Sequence, residues 1–203
     1  GSTGTPKGNP KTWGSLQRSN AQNIAALDHL WPEDSAGRAT SKRIVATVPP
    51  QHMFGMEMSI LLPLLGDAAV HRARPFFPDD VARTLAESDA PCVLVTTPVH
   101  LRALVESGVT MPPIAGVVTA TAPLPAALAQ AAEERFGCEV RELFGSTETC
   151  VIAQRRTARE DAWHLLPHVR LQPQPDGTVV HAAHLPAPVT LADLVELQGD
   201  DRF

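Results

Sequence analysis

The stretch CVLVTTPVHLRALVESGVTMPPIAGVVTATAPLPAALAQAAEERFGCEVRELF, residues 92–144, decides the fold. Two short apolar runs, 92–96 and 114–119, have no polar alternation, the pattern of strands covered on both faces, and residues 140–144 read as a third strand. Between the first two, residues 98–107 point Leu101, Leu104 and Val105 to one side and stop at Gly108. Between the last two, the Ala-rich segment 125–136 stops at Gly137. Strand, helix, strand, helix, strand implies right-handed βαβ crossovers and a parallel sheet with flanking helices, an α/β fold.

Working upstream, Pro78, Asp79 and Asp80 open a further helix, with Val81, Ala82 and Leu85 on one face. Residues 53–65 read as a buried helix, and 44–48 as a strand closed by Pro49-Pro50. Residues 15–30 place Ile24, Leu27 and Leu30 near one helical face before Pro32, and 33–42 read as a polar loop. Downstream of Thr157 the texture changes. Residues 164–169, 171–174 and 178–181 are short extended pieces, and Asp176-Gly177 is a hairpin turn signal. The expected organisation is an α/β nucleotide-binding unit over residues 1–155 and a small antiparallel β unit over 156–203. His181 and His184 are expected to face opposite sides of an extended segment, both at the surface.

Composition narrows the function. Lys+Arg 17 against Asp+Glu 22 gives a net charge of −5, which argues against a chain that coats nucleic acid. Hydrophobic residues at 43% and charged residues at 19% are ordinary for a folded domain. The longest apolar stretch, 53–65, is broken by Gly55, Glu57 and Pro63 and is shorter than the ~20 residues of a spanning helix. Cys92, Cys138 and Cys150 are odd in number and far apart, so they form neither a disulfide framework nor a paired metal site. A cytoplasmic setting is expected. The opening GSTGTPKG has no initiator Met and reads as part of a longer chain.

Ligands of open α/β sheets sit beyond the carboxyl ends of the strands, so chemistry is sought in the loops after Val48, Thr96, Thr119 and Phe144. GSTGTPKG packs three glycines, three hydroxyl residues and Lys7 into eight positions. Small residues admit an anion to backbone N–H groups, so this is either a phosphate cradle or a flexible tag; Gly8 after Lys7 excludes a Walker loop. LFGSTET, residues 143–149, offers the Thr147 hydroxyl to phosphate and Glu148 to Mg²⁺, or else caps a helix. TATAPLP, residues 119–125, offers a flat slot for a planar base, or else an ordinary strand-to-helix turn. There is no Gly-x-Ser-x-Gly elbow and no His-Glu-x-x-His helix.

Taken in this order, the three loops resemble those of the adenylate-forming superfamily of acyl- and aryl-CoA synthetases, peptide-synthetase adenylation domains and luciferases. GSTGTPKG resembles its phosphate loop, FGSTE its aromatic-Gly-x-Thr-Glu signature, and VPPQHMFGME (residues 48–57) its carboxylate-side segment. The resemblance covers nearly the whole chain and implies an incomplete amino-terminal domain of such an enzyme. It implies that Ser2, Thr3, Gly4, Thr5 and Lys7 hold the β- and γ-phosphates of ATP. Thr121, Ala122 and Pro123 would line the adenine, and Phe144, Gly145, Ser146 and Thr147 the nucleotide, with Thr147 on the α-phosphate. Glu148 would bind Mg²⁺, and His52 would orient the substrate carboxylate. Asp193, preferred over Asp200, would hold the ribose, although the family's Thr-Gly-Asp run is absent. The implied catalytic set is Lys7, His52, Thr147 and Glu148.

The implied reaction activates a carboxylic acid as its adenylate and passes the acyl group to a thiol, of coenzyme A or of the phosphopantetheine arm of an acyl carrier protein. STET, AQRR (residues 153–156) and Trp-His-Leu-Leu-Pro add a likeness to ligases of bacterial aryl-polyene pigment clusters, which suggests an aryl or unsaturated acid. The family's mobile lysine-bearing domain has no counterpart here, so a non-catalytic nucleotide-binding fragment is the alternative. An unrelated α/β interaction module, in which the loops coincide by chance, is a second.

Overall fold

The expected alternation is realised in the computed structural model, which describes residues 8–32 and 41–203. The phosphate-loop residues Ser2, Thr3, Gly4, Thr5 and Lys7 lie outside the described residues. Strands β1 (Lys42–Ala46), β2 (Ala68–Val70), β3 (Cys92–Thr96), β4 (Ile114–Thr119), β5 (Glu139–Ser146), β6 (Cys150–Arg155) and β7 (His164–Leu165) make one sheet in the order β2-β1-β3-β4-β5-β6-β7. Pairing is parallel from β2 through β5 and antiparallel at β6 and β7. Parallel strands share one carboxyl edge, so the loops leaving β1, β3, β4 and β5 line up along it.

Strand residues alternate between two cores. Ile44, Ala46, Val93, Val95 and Val118 face one way; Val45, Leu94 and Val117 face the other. Helices α4 (Pro78–Ala86), α5 (Pro98–Glu106) and α6 (Ala126–Phe136) cover the second face through Val81, Leu85, Leu101, Leu104, Leu128, Ala129 and Ala132. The first face is covered by α1 (Trp13–Leu27) and by the helical run 53–65, through Leu27, Phe54, Met58 and Leu62. That run is α2 (Met53–Met56), a π turn (Glu57–Leu61) and α3 (Leu62–Leu65). A second antiparallel sheet, β8 (Val169–Gln174), β9 (Gly177–Ala182) and β10 (Val189–Leu191), adds Val169, Val180 and Leu191 to the same core.

Three readings are corrected. The β8–β9 hairpin turns at Pro175 and Asp176, because Gly177 is already paired with Gln174; the turn lies one residue before the Asp-Gly signal. The segment after β5 is not a helix start: the chain reverses at residues 147–149 and returns as β6, so the helix-cap alternative is replaced by a hairpin. His184 is fully buried, whereas His181 is half-buried beside Gln172. The final residues also join the large sheet: Trp163 N–H donates to the Phe203 carbonyl (2.8 Å) and Leu165 N–H to that of Asp201 (2.8 Å).

Candidate functional site

The β5–β6 hairpin is a three-residue turn closed by hydroxyls. Gly145 pairs with Val151 and Ser146 with Cys150, with a bulge between Phe144 and Gly145. The Ser146 hydroxyl accepts from the amides of Glu148 and Thr149 (both 3.2 Å), and the Thr149 hydroxyl accepts from the Ser146 amide (3.1 Å). Serine and threonine hydroxyls substitute in this way for backbone partners in tight turns. Gly145 is required by close approach, since a Cβ there would stand 2.1 Å from the Cys150 carbonyl oxygen. Cys150 takes a left-handed φ of 61°, the strained end of the turn.

These bonds leave Thr147 and Glu148 exposed at the carboxyl edge. The Glu148 carboxylate is held below its usual range by its own backbone amide and the Ser146 hydroxyl, with Lys11 adding to the effect. Lys11 Nζ also donates to the Glu148 carbonyl at 2.7 Å. The segment that follows the glycine-rich opening of the chain therefore lies against the turn. An exposed, ionised carboxylate beside small residues suits Mg²⁺, which is usually bound through one or two carboxylates plus substrate phosphates and water. Among the described residues, no group of three or more His, Cys, Asp or Glu could hold a metal by itself.

Next along the edge, Thr121 follows β4 with a φ of 82°, and Thr121, Ala122 and Pro123 are exposed. Buried Glu142 anchors this loop: one carboxylate oxygen accepts from the Leu124 amide (2.8 Å), the other from Arg155 Nε (2.8 Å) and the Thr157 hydroxyl (2.7 Å). Phe144 packs with Trp163 and Phe203, centroids 5.4 and 5.6 Å away, and Arg155 stacks on Trp163 at 4.3 Å. His52, exposed, precedes α2; Gly55 in that helix rides so close to Pro49 that a Cβ would meet its carbonyl at 2.1 Å. Asp193 is exposed beyond β10, and its carbonyl accepts from the Thr178 hydroxyl at 2.7 Å. The structure thus joins the 145–148 turn to the Lys11 segment, sets Thr121 at the end of the neighbouring strand, and puts His52 and Asp193 on separate elements.

Glu142 and Glu57 were not singled out as site residues from sequence. Glu57 is buried in the π turn: its Oε1 accepts from Asn23 Nδ2 (3.1 Å), the Ser19 hydroxyl (3.3 Å) and the Val151 amide (3.4 Å). Burial raises its carboxyl to about 7 despite those donors. Glu57 interrupts an apolar run, and that interruption was the available signal.

A parallel sheet whose carboxyl edge carries a hydroxyl-closed Gly-Ser-Thr-Glu turn, with a lysine-bearing segment against it, defines a fragment of the large domain of an adenylate-forming enzyme. The chain belongs to the AMP-binding enzyme family, whose model matches residues 1–199. It is 32% identical over its full length to a 4-coumarate–CoA ligase of Rhodobacter capsulatus, covering 48% of that protein. The fold is similar to o-succinylbenzoate CoA synthetase of Bacillus subtilis bound to a product analogue (TM-score 0.80, 17% identity, 98% of this chain and 46% of that one). It is also similar to the same Bacillus enzyme in complex with ATP and magnesium (TM-score 0.73, 18% identity, 92% of this chain and 40% of that one). The chain spans about half the length of these relatives.

Proposed function

We propose that this chain is the nucleotide-binding part of an AMP-forming acid–thiol ligase. The observation that carries the reading is the contact of Lys11 with Glu148: the chain leaves the glycine-rich loop at Gly8, three residues before it meets the signature turn. In this reading Ser2, Thr3, Gly4, Thr5 and Lys7 bind the β- and γ-phosphates and Thr147 the α-phosphate. Thr121, Ala122 and Pro123 flank the base, Phe144, Gly145 and Ser146 shape the floor, and Asp193 takes the ribose. His52 orients the acid. Residues 1–155 carry the phosphate side of the site and residues 156–203 the ribose side.

The acid's carboxylate oxygen forms a bond to the α-phosphorus as the bond from that phosphorus to the β-phosphate bridging oxygen breaks, releasing pyrophosphate. Lys7 and Thr147 align the phosphates and offset their charge in the transition state. Bound Mg²⁺, held by Glu148, would add neutralising charge. A thiol then displaces AMP from the acyl adenylate. Coenzyme A is favoured as the thiol by the ligase and synthetase relatives; an acyl carrier protein, and an aryl or unsaturated acid, rest on the sequence likeness alone.

The test is ATP–pyrophosphate exchange by the full-length parent protein over a panel of aryl and acyl acids, beside ATP binding by the 203-residue chain. Acid-dependent exchange supports the ligase. ATP binding with no exchange for any acid supports the second reading, a nucleotide-binding fragment without turnover. Absence of ATP binding to either protein refutes both.

A further inference from the structure

The face of α1 that points inward is polar over most of its length. Ser15, Ser19 and Asn23 follow one another at four-residue spacing, with Asn20 beside them, and all four are buried. Polar groups are rarely withdrawn from water without partners, so each needs an explanation. Four hydrogen bonds supply one for the donors of the stripe, while the side-chain oxygens of Asn20 and Asn23 stay unpaired among the described residues. The Ser15 hydroxyl bonds the His184 carbonyl; Ser19 and Asn23 bond the Glu57 carboxylate; Asn20 Nδ2 bonds the Glu57 carbonyl at 3.1 Å, at the mouth of the π turn. Arg18, on the same helix, donates from Nε to the Ala183 carbonyl at 3.1 Å.

The partners of α1 in turn hold the signature hairpin. His184 Nε2 lies 2.7 Å from the Thr149 carbonyl, which can only accept, so the ring proton sits on Nε2. Burial pushes the His184 imidazole pKa down, disfavouring its charged form. Glu57 accepts from the Val151 amide, and Lys11 donates to the Glu148 carbonyl. Side chains from three distant segments therefore grip backbone groups of residues 148, 149 and 151, within four positions of one another. Thr147 and Glu148 make no part of this grip through their side chains.

We propose that Glu57 and His184 are positioning residues: with the polar stripe of α1 they clasp the 145–151 hairpin to that helix, so that the hairpin presents Thr147 and Glu148 to ATP in a fixed register with α1. The inference rests on the nucleotide reading above and adds the device that holds the hairpin in place. Neither residue touches the nucleotide. Both act through the backbone that presents Thr147 and Glu148. The π turn is part of the device, since the extra residue it accommodates sets the Glu57 side chain between α1 and β6.

The experiment uses the 203-residue chain with Glu57→Ala, Glu57→Gln, His184→Ala and His184→Gln, the glutamines retaining an acceptor or donor at the same reach. Amide hydrogen exchange is measured at residues 146–151 against β3 as an internal reference, and ATP with magnesium is titrated into each variant. The alanine variants are expected to raise exchange at 146–151 by about tenfold with β3 unchanged, and to weaken ATP by a similar factor, as for one lost buried hydrogen bond. The glutamine variants are expected to recover most of both. If an alanine variant does not fold, Ser19→Ala, which removes one hydroxyl donor, is read the same way with a smaller effect. Unchanged exchange at the hairpin, or exchange that rises equally in β3, overturns the clasp. The expected exchange changes in the variants, together with a wild-type chain that does not bind ATP, refute the nucleotide reading and leave the clasp standing as a structural device.

Discussion

Replacing Glu57 by glutamine isolates the energetics of the buried carboxyl. Its pKa is about 7 in the folded chain against 4.5 for the ordinary carboxyl, so the folded protein holds this proton more tightly than the unfolded chain does. A raised carboxyl pKa contributes most to stability below pH 4.5, and the contribution is lost as pH rises to about 7. The shift corresponds to roughly 3 kcal/mol in total, of which about 2–3 kcal/mol falls between pH 5 and pH 8. The charged and titratable groups that face Glu57 are Lys11 on the segment before α1 and Cys150 on β6. Cys150 itself is held up at about 11, first by burial and then by Glu57, and remains a thiol throughout this range. Urea unfolding of wild type and Glu57→Gln at pH 5 and pH 8 measures the effect. Relative to wild type, the glutamine variant is expected to gain about 2–3 kcal/mol on going from pH 5 to pH 8. A difference between the two proteins that stays constant within about 0.5 kcal/mol would refute the argument, because such a carboxyl titrates alike in the folded and unfolded states.

Two further outcomes follow from the hairpin. Gly145→Ala sets a methyl group against the Cys150 carbonyl, a backbone atom that cannot rotate away, and is expected to cost about 1–3 kcal/mol in thermal or urea unfolding and to abolish ATP binding. Glu148→Gln changes an exposed side chain, so stability should stay within about 0.5 kcal/mol by urea unfolding, while calorimetric ATP binding should lose most of its dependence on magnesium.

The sheet was legible because its strands are buried on both faces: Cys92–Thr96 and Ile114–Thr119 are recovered at the bounds their apolar runs predict. Helices with a one-sided apolar pattern, such as α4 and α5, were equally clear. β2 was missed because three residues at an exposed edge carry almost no pattern. β6 was missed because the signature residues before it suggested a helix cap, and a sequence does not show that Gly145 must pass within contact of the returning strand. His184 looked like one of a pair of surface histidines on a strand, yet the strand ends at Ala182 and the chain turns it inward against Thr149. On α1 the apolar residues Ile24 and Leu27 marked a buried face, but Ser15, Ser19 and Asn23 share that burial for a reason located 34 or more residues away. Long-range polar partners leave no period in the sequence; apolar packing does.

In the proposed function the glycine-rich opening and the 145–148 hairpin meet on one triphosphate. Paramagnetic broadening of backbone amides on titrating Mn²⁺–ATP into the 203-residue chain tests it most directly. The predicted result is that amides of residues 146–149 and of the segment from Gly8 to Thr12 broaden first and together. Broadening centred elsewhere, for instance on the polar groove of Glu133, Glu139 and Arg156 beside α6, or at only one of the two segments, would contradict it.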